Sequence, residues 1–239
     1  MYYILVHTKI LLVLFFIAAV YLIWSYSYFY NFLGKTNLTA PSHETSVMIG
    51  NHNTQASTYV ALGDSLTAGV GVSDYQKSYP YLIAQKLSSK NNVQLINLAH
   101  PGDMSQDVLI NQTPQAEYLK PDLITLLIGV NDIHNLKSLR EFEANYSKIV
   151  SSLKKSGARI YLFSIPYLGA SKIVYPPYNL ILDLRTKQFN RVIKKISIDY
   201  GVNYIDLYAL SKSVNFYSPD QFHPGAQGYK EWATQINVN

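Results

Sequence analysis

The chain has 239 residues and no cysteine. That absence removes disulfides, a cysteine nucleophile, thiolate metal sites and a lipid-modified cysteine anchor together. Paired histidines are missing too. His7, His43, His52, His100, His134 and His223 are scattered, with no two one helical turn apart, so no metal site is expected. A dense basic face is also lacking: the net charge is only +5, from 20 basic and 15 acidic side chains. The nearest cluster, Arg185, Lys187, Arg191, Lys194 and Lys195, falls on one predicted helix and reads as a solvated face, so nucleic acid is not an expected partner. There is no internal repeat and no low-complexity tract.

One absence is local. No Asp, Glu, Lys or Arg lies between Lys9 and Lys35, and residues 10–24 are apolar on every side. About 20 apolar residues cross a bilayer as a helix, so this stretch reads as a membrane span. Tyr26, Tyr28, Phe29, Tyr30 and Phe32 follow, as an interfacial aromatic belt would. A cleaved signal peptide is the competing reading, with Ser25-Tyr26-Ser27 as a small-x-small site. Bulky aromatics crowd that site and the apolar run continues past it, which favours a retained anchor. Lys9 and the amino terminus compete with Lys35 across the span, and the positive-inside rule then puts the amino end in the cytoplasm and the remainder outside. The expected organisation is an anchor over 1–33, a flexible tether over 34–57 and one catalytic domain over 58–239.

What is present from residue 58 is an alternation of short apolar runs with longer amphipathic ones. Strands are expected at 58–62, 93–97, 122–128, 158–164 and 202–206, and helices at about 78–90, 104–118, 138–156, 181–200 and 225–236. Such alternation implies a parallel sheet covered by helices on both faces, with ligands at the carboxyl edge of the strands. At that edge the chain offers Gly63-Asp64-Ser65-Leu66, then His100-Pro101-Gly102, then Gly129-Val130-Asn131-Asp132. Before the last helix comes Ser218-Pro219-Asp220-Gln221-Phe222-His223-Pro224. Each segment alone is an ordinary turn. Jointly, four loops converging on one sheet edge supply a hydroxyl nucleophile, oxyanion donors, a base and an acid to orient it.

In order and spacing these segments resemble the four blocks of the SGNH, or GDSL-type, hydrolase family. The resemblance implies a flavodoxin-like three-layer α/β/α sandwich with a five-stranded parallel sheet, and ester hydrolysis without a cofactor. It also implies Ser65 as nucleophile, His223 as base and Asp220 as its orienting acid. The oxyanion hole would be formed by the N–H of Ser65, the N–H of Gly102 and the amide of Asn131. Asp64 is expected to brace its turn. One departure is visible: Asn97-Leu98-Ala99-His100-Pro101-Gly102 carries alanine and an unusual His-Pro where the family commonly has Asn-x-Gly-x-x-Gly. It could re-route the loop or bring His100 to the mouth of the site. Gly-x-Ser-x-Thr also differs from the Gly-x-Ser-x-Gly elbow of α/β-hydrolases, so the scaffold is a different one.

The aromatic segment 165–178 follows the fourth strand at the active edge, where it would either line an acyl groove or only pack over the sheet. An anchor beside such a groove points to lysophospholipids or other lipid esters. The alternatives are deacetylation of acetylated cell-surface glycans, acyl transfer to an alcohol, and a non-catalytic binding protein on the same fold.

Overall fold

In chain order the elements are α1 (Tyr2–Lys35), β1 (Ser46–Ile49), β2 (Ser57–Gly63), α2 (Ser65–Ala68), α3 (Tyr79–Leu87), β3 (Val93–Asn97) and α4 (Ser105–Asp107). A π-helical turn (Val108–Gln112) leads into α5 (Thr113–Leu119), followed by β4 (Leu123–Leu127), α6 (Val130–His134), α7 (Leu139–Leu153) and β5 (Arg159–Phe163). The chain then runs through α8 (Tyr178–Tyr200), β6 (Asn203–Ile205) and α9 (Ala226–Thr234). This computed structural model describes residues 2–35, 39–42, 45–51, 53, 55–169, 171–212 and 216–236.

The sheet order is β1-β3-β2-β4-β5-β6. Five of these strands are parallel, at the positions expected from the apolar runs. β4 is buried at every position, as a strand covered on both faces must be. Helices α3 and α9 pack on each other, while α5, α7 and α8 form a separate group, giving the α/β/α sandwich. From β2 the chain crosses first to β3 on one side and then to β4 on the other. That reversal opens a crevice at the carboxyl end of β2, the switch point where ligands of such sheets bind. Ser65 begins two residues beyond the strand.

Two features differ from the organisation expected of the amino-terminal part. First, β1 adds a sixth, antiparallel edge strand on β3, with Ser46 opposite Ile96 and Ile49 opposite Val93. It lies inside the expected tether over 34–57, of which residues 36–38, 43, 44, 52 and 54 lie outside the described residues. Its alternate residues Val47 and Ile49 are half-buried, which gives this short segment a reason to pair with β3.

Second, α1 is not separate from the domain. From Val6 to Tyr21 it is almost wholly exposed, but its carboxyl half docks on the α/β body. Phe29 is fully buried, with ring centroids 4.8 Å from His134, 5.5 Å from Phe222 and 5.7 Å from Tyr178. The Tyr30 hydroxyl donates to the His134 carbonyl at 2.7 Å. Trp24 and Tyr28 pack on Tyr175, and Tyr26 meets Tyr178 edge to face. Burying a ring such as Phe29 contributes about 1.5–3 kcal/mol, so these contacts amount to a seat for the helix. The aromatics expected to form an interfacial belt pack, on one side of the helix, against the α/β body of the same chain.

The segment 165–178 forms the other half of that surface through Tyr175 and Tyr178. Its Pro166, Tyr167 and Leu168 close on Leu66, Val130 and Phe222 around a void of only about 10 Å³. Of the two expectations for this segment, packing over the sheet edge is what is observed. Ala170 lies outside the described residues.

Candidate active site

β2 ends at Gly63, where a side chain could not fit: an added Cβ would lie 2.2 Å from Thr67 Oγ1 and 2.3 Å from the Leu127 carbonyl oxygen. The bare backbone lets the strand turn sharply into α2, and Ser65 becomes the first residue of that short helix. Asp64 caps it, accepting from the Leu66 N–H at 3.0 Å, so the expected bracing role is the one its side chain performs.

His223 reaches the same place from the loop before α9. Its Nε2 is 2.9 Å from Ser65 Oγ, and its Nδ1 is 2.9 Å from Asp220 Oδ2. Asp220 Oδ1 accepts the N–H groups of Phe222 and His223, both at 2.8 Å. One carboxylate therefore holds the turn and the imidazole together. Burial pushes the Asp220 carboxyl up, but the hydrogen bond and charge of His223, with Ser218 and the Phe222 N–H, hold it down at about 2. Asp64 goes the other way. Burial raises it to about 7, the Leu66 N–H only partly opposes this, and the nearby Asp132 and Asp103 add to it. At neutral pH the firmly ionised partner of His223 is thus Asp220, not the acid adjacent to the serine.

Ser65, Gly102, Asn131 and His223 line one pocket of about 290 Å³. Among the described residues, neither the Ser65 N–H nor the Gly102 N–H has an acceptor, leaving both available to a ligand. Asn131 Nδ2 donates one hydrogen to the Asp103 carbonyl at 2.9 Å, which ties the asparagine loop to the glycine loop. Phe222 and His134 add apolar and imidazole surface, and Phe29, Tyr30 and Leu33 of α1 complete the lining. His134 is held neutral, with burial and then the charge of His223 lowering it to about 3. His100, by contrast, points to solvent with its side chain 79% exposed, 3.4 Å from Asp103, and takes no part in the lining.

A larger cavity of about 350 Å³ lies at the opposite edge of the sheet, beside Ser57, Asp122 and Arg159, far from the serine and histidine. Among the described residues, no group of three or more His, Asp or Glu side chains is arranged to hold a metal.

Several supporting residues were not anticipated. The Gln112 amide, on the π-helical turn, accepts from the Gly63 N–H at 2.9 Å and donates to the Gly63 carbonyl and to Asp103 Oδ2, both at 2.8 Å. Asp132 accepts from the Ser105 N–H at 2.9 Å and from its hydroxyl at 2.5 Å. Asn97 donates to the Thr67 carbonyl at 2.9 Å and to the Tyr75 hydroxyl at 3.0 Å. Asp132 stands beside Asn131 in sequence and could have been found there. Gln112 acts 49 residues from its partner, with no local signal.

Residues 61–231 match the GDSL-like Lipase/Acylhydrolase family. Among curated proteins, the chain is 27% identical over 206 residues to the spore germination lipase LipC of Bacillus licheniformis, covering 75% of this chain and 94% of that protein. Among solved structures, it superposes on TesA with a TM-score of 0.63 at 18% identity, covering 75% of this chain and 95% of that one. A lipase/acylhydrolase from Enterococcus faecalis gives a TM-score of 0.61 at 21% identity, with 75% and 93% coverage.

Proposed function

Because the chain belongs to the GDSL-like lipase/acylhydrolase family, and is therefore an ester hydrolase, we propose that it cleaves carboxylic esters through an acyl-enzyme on Ser65. The observation that carries this is the unbroken chain Asp220–His223–Ser65, with both links 2.9 Å long, opening on a pocket that also presents Gly102 and Asn131.

Serine is a weak nucleophile, so His223 Nε2 takes the Ser65 proton as Oγ attacks the carbonyl carbon. Asp220 keeps the other imidazole proton on Nδ1, so that Nε2 presents its lone pair, and stabilises the imidazolium that forms. The carbonyl oxygen becomes negative as the tetrahedral intermediate builds. The N–H groups of Ser65 and Gly102 and the amide of Asn131 meet it, each such donor being worth about 100- to 1000-fold in rate. His223 then protonates the leaving alcohol. In the second half a water replaces the alcohol, His223 takes its proton, and Ser65 is regenerated. This chemistry calls for no cofactor.

The substrate class we favour is a lipid ester, lysophospholipid among them. The support is the apolar α1, whose stretch Val6–Gly34 is long and apolar enough to cross a membrane. On this reading the protein is single-pass and its α/β body, the catalytic domain over 58–239, faces away from the cytoplasm. The full chain in detergent, assayed on acetyl, butyryl, dodecanoyl and lysophospholipid esters, tests the proposal. Ser65→Ala and His223→Ala should each remove hydrolysis and fluorophosphonate labelling without unfolding the protein. Full activity of Ser65→Ala would sink the mechanism, and turnover confined to acetylated glycans would redirect the substrate.

A further inference from the structure

One wall of the pocket at Ser65 is not made by the α/β domain. Phe29, Tyr30 and Leu33 belong to α1, the same helix whose exposed part is apolar from Ile10 to Tyr21. That exposed part, Val6 to Tyr21, is about 16 residues and about 24 Å long at 1.5 Å per residue, most of the roughly 30 Å thickness of a hydrocarbon core. Phe29 follows about 12 Å further along the axis, and the headgroup layer on each side of a bilayer is about 5–8 Å deep. The pocket therefore sits against the lipid surface and not at the end of a leash.

The surroundings are apolar in the same place. Leu136 is 62% exposed and follows Asn135, another lining residue. Leu180 and Leu184, 64% and 57% exposed, lie on the first turns of α8, whose Tyr178 packs on Tyr26 and Phe29. Such residues beside the root of an apolar helix suit contact with the bilayer interface. Inside the pocket, among the described residues, the buried Nε2 of His134 has no partner, and its ring stacks on Phe29 with planes 23° apart. The floor is thus aromatic where His134 and Phe29 meet. At about 290 Å³ the pocket is at the small end of ligand sites, which run from about 300 to 1000 Å³, and suits one chain better than two.

We propose that α1 is a substrate-binding element: Leu33 and the ring of Tyr30, on the helix that Phe29 seats, hold the hydrocarbon chain of a single-chain lipid ester, which reaches Ser65 from the leaflet where α1 emerges. This rests on Ser65 being the nucleophile of the proposed hydrolysis. It adds that the helix must stay attached for the enzyme to recognise its substrate, and that chain-length preference is set by the anchor.

The test uses the full-length protein in detergent, with 4-nitrophenyl acetate and 4-nitrophenyl dodecanoate as probes. Leu33→Trp should lower the dodecanoate-to-acetate ratio of kcat/KM at least tenfold, while Ile17→Trp in the free part of α1 leaves both values as they were. Since the chain has no cysteine, Leu33→Cys places a single thiol in the wall. Prior reaction with a dodecyl fluorophosphonate should slow its alkylation by maleimide at least fivefold, and an ethyl analogue should not. If Leu33→Trp loses both esters equally, the thiol decides: protection by the dodecyl probe alone supports the proposal, and equal reactivity after both probes overturns it. An unchanged ratio with Ser65→Ala inactive overturns the role of α1 and leaves hydrolysis standing. Activity in Ser65→Ala overturns the hydrolytic mechanism itself.

Discussion

Replacing Asp220 by asparagine separates the two tasks of this carboxylate. Its Oδ1 holds the loop by accepting two backbone N–H groups, and an asparagine oxygen in that place accepts them equally well. Its Oδ2 faces His223 Nδ1 at 2.9 Å, where the asparagine presents an N–H₂ donor. A donor there forces Nδ1 to be the acceptor and puts the imidazole proton on Nε2, which faces Ser65 Oγ at 2.9 Å and can then no longer take its proton. The lost charge matters too, because a carboxyl held at about 2 is ionised throughout the working range. The same substitution in an analogous triad costs about 10⁴-fold in kcat. At about 1.4 kcal/mol per decade this is roughly 5.5 kcal/mol of transition-state stabilisation. The assay is initial rates on 4-nitrophenyl butyrate at pH 8, alongside a thermal melt. The expected outcome for Asp220→Asn is a loss of about 10³- to 10⁴-fold with Tm nearly parental, since the loop keeps its acceptor. Asp220→Ala should also lose stability, by about 1–3 kcal/mol for the N–H groups left unpaired. A kcat for Asp220→Asn within tenfold of the parent would refute the orienting role and return attention to Asp64.

Two further outcomes are expected. Asp64 has a folded value of about 7 against an unfolded value near 3.8, so its contribution to stability is greatest below about pH 4, declines as pH rises to 7, and is flat above. His134, lowered to about 3, has the opposite slope between there and its unfolded value of 6.5, so the parent alone is uninformative and the difference between parent and variant is the quantity to follow. The Tm of Asp64→Asn minus that of the parent should grow from pH 4 to pH 7, and a difference independent of pH would show that Asp64 is not strained by burial. Gly71 has φ +102°, and a Cβ there would lie 2.4 Å from the Pro224 carbonyl oxygen and 2.9 Å from His223 Cβ. Gly71→Ala should lower Tm and push the His223 loop away from Ser65, cutting kcat more than tenfold; parental kcat would show that the loop yields without moving the imidazole.

The parallel strands were legible because a strand buried on both faces leaves a continuous apolar run, as Leu123–Leu127 does. The meeting of Ser65, Asp220 and His223 was legible because each sits at a strand end or in a short loop whose local pattern carries its own meaning. The docking of α1 was not. Phe15 and Phe29 are the same residue in the same apolar helix, yet one is exposed and the other wholly covered by protein. Nothing local distinguishes a ring awaiting lipid from one awaiting Tyr178 and Phe222. β1 was hidden for a related reason: four edge residues with only two half-buried side chains make no sustained period. The brace at Gln112 depends on a partner brought near by the whole fold.

The pocket draws its parts from distant stretches of the chain: residues 29–33 on one wall, Ser65, Gly102 and Asn131 in the centre, and Phe222 and His223 on the other. During synthesis these emerge in that order, at roughly 5–20 residues per second. α1 is made long before His223, and Ser65 waits for a histidine made 158 residues later. On the proposed mechanism, a nascent chain therefore carries its nucleophile without the means to activate it. If α1 anchors the chain as proposed, the lipids around it meet an active enzyme only once the loop before α9 has closed over Ser65.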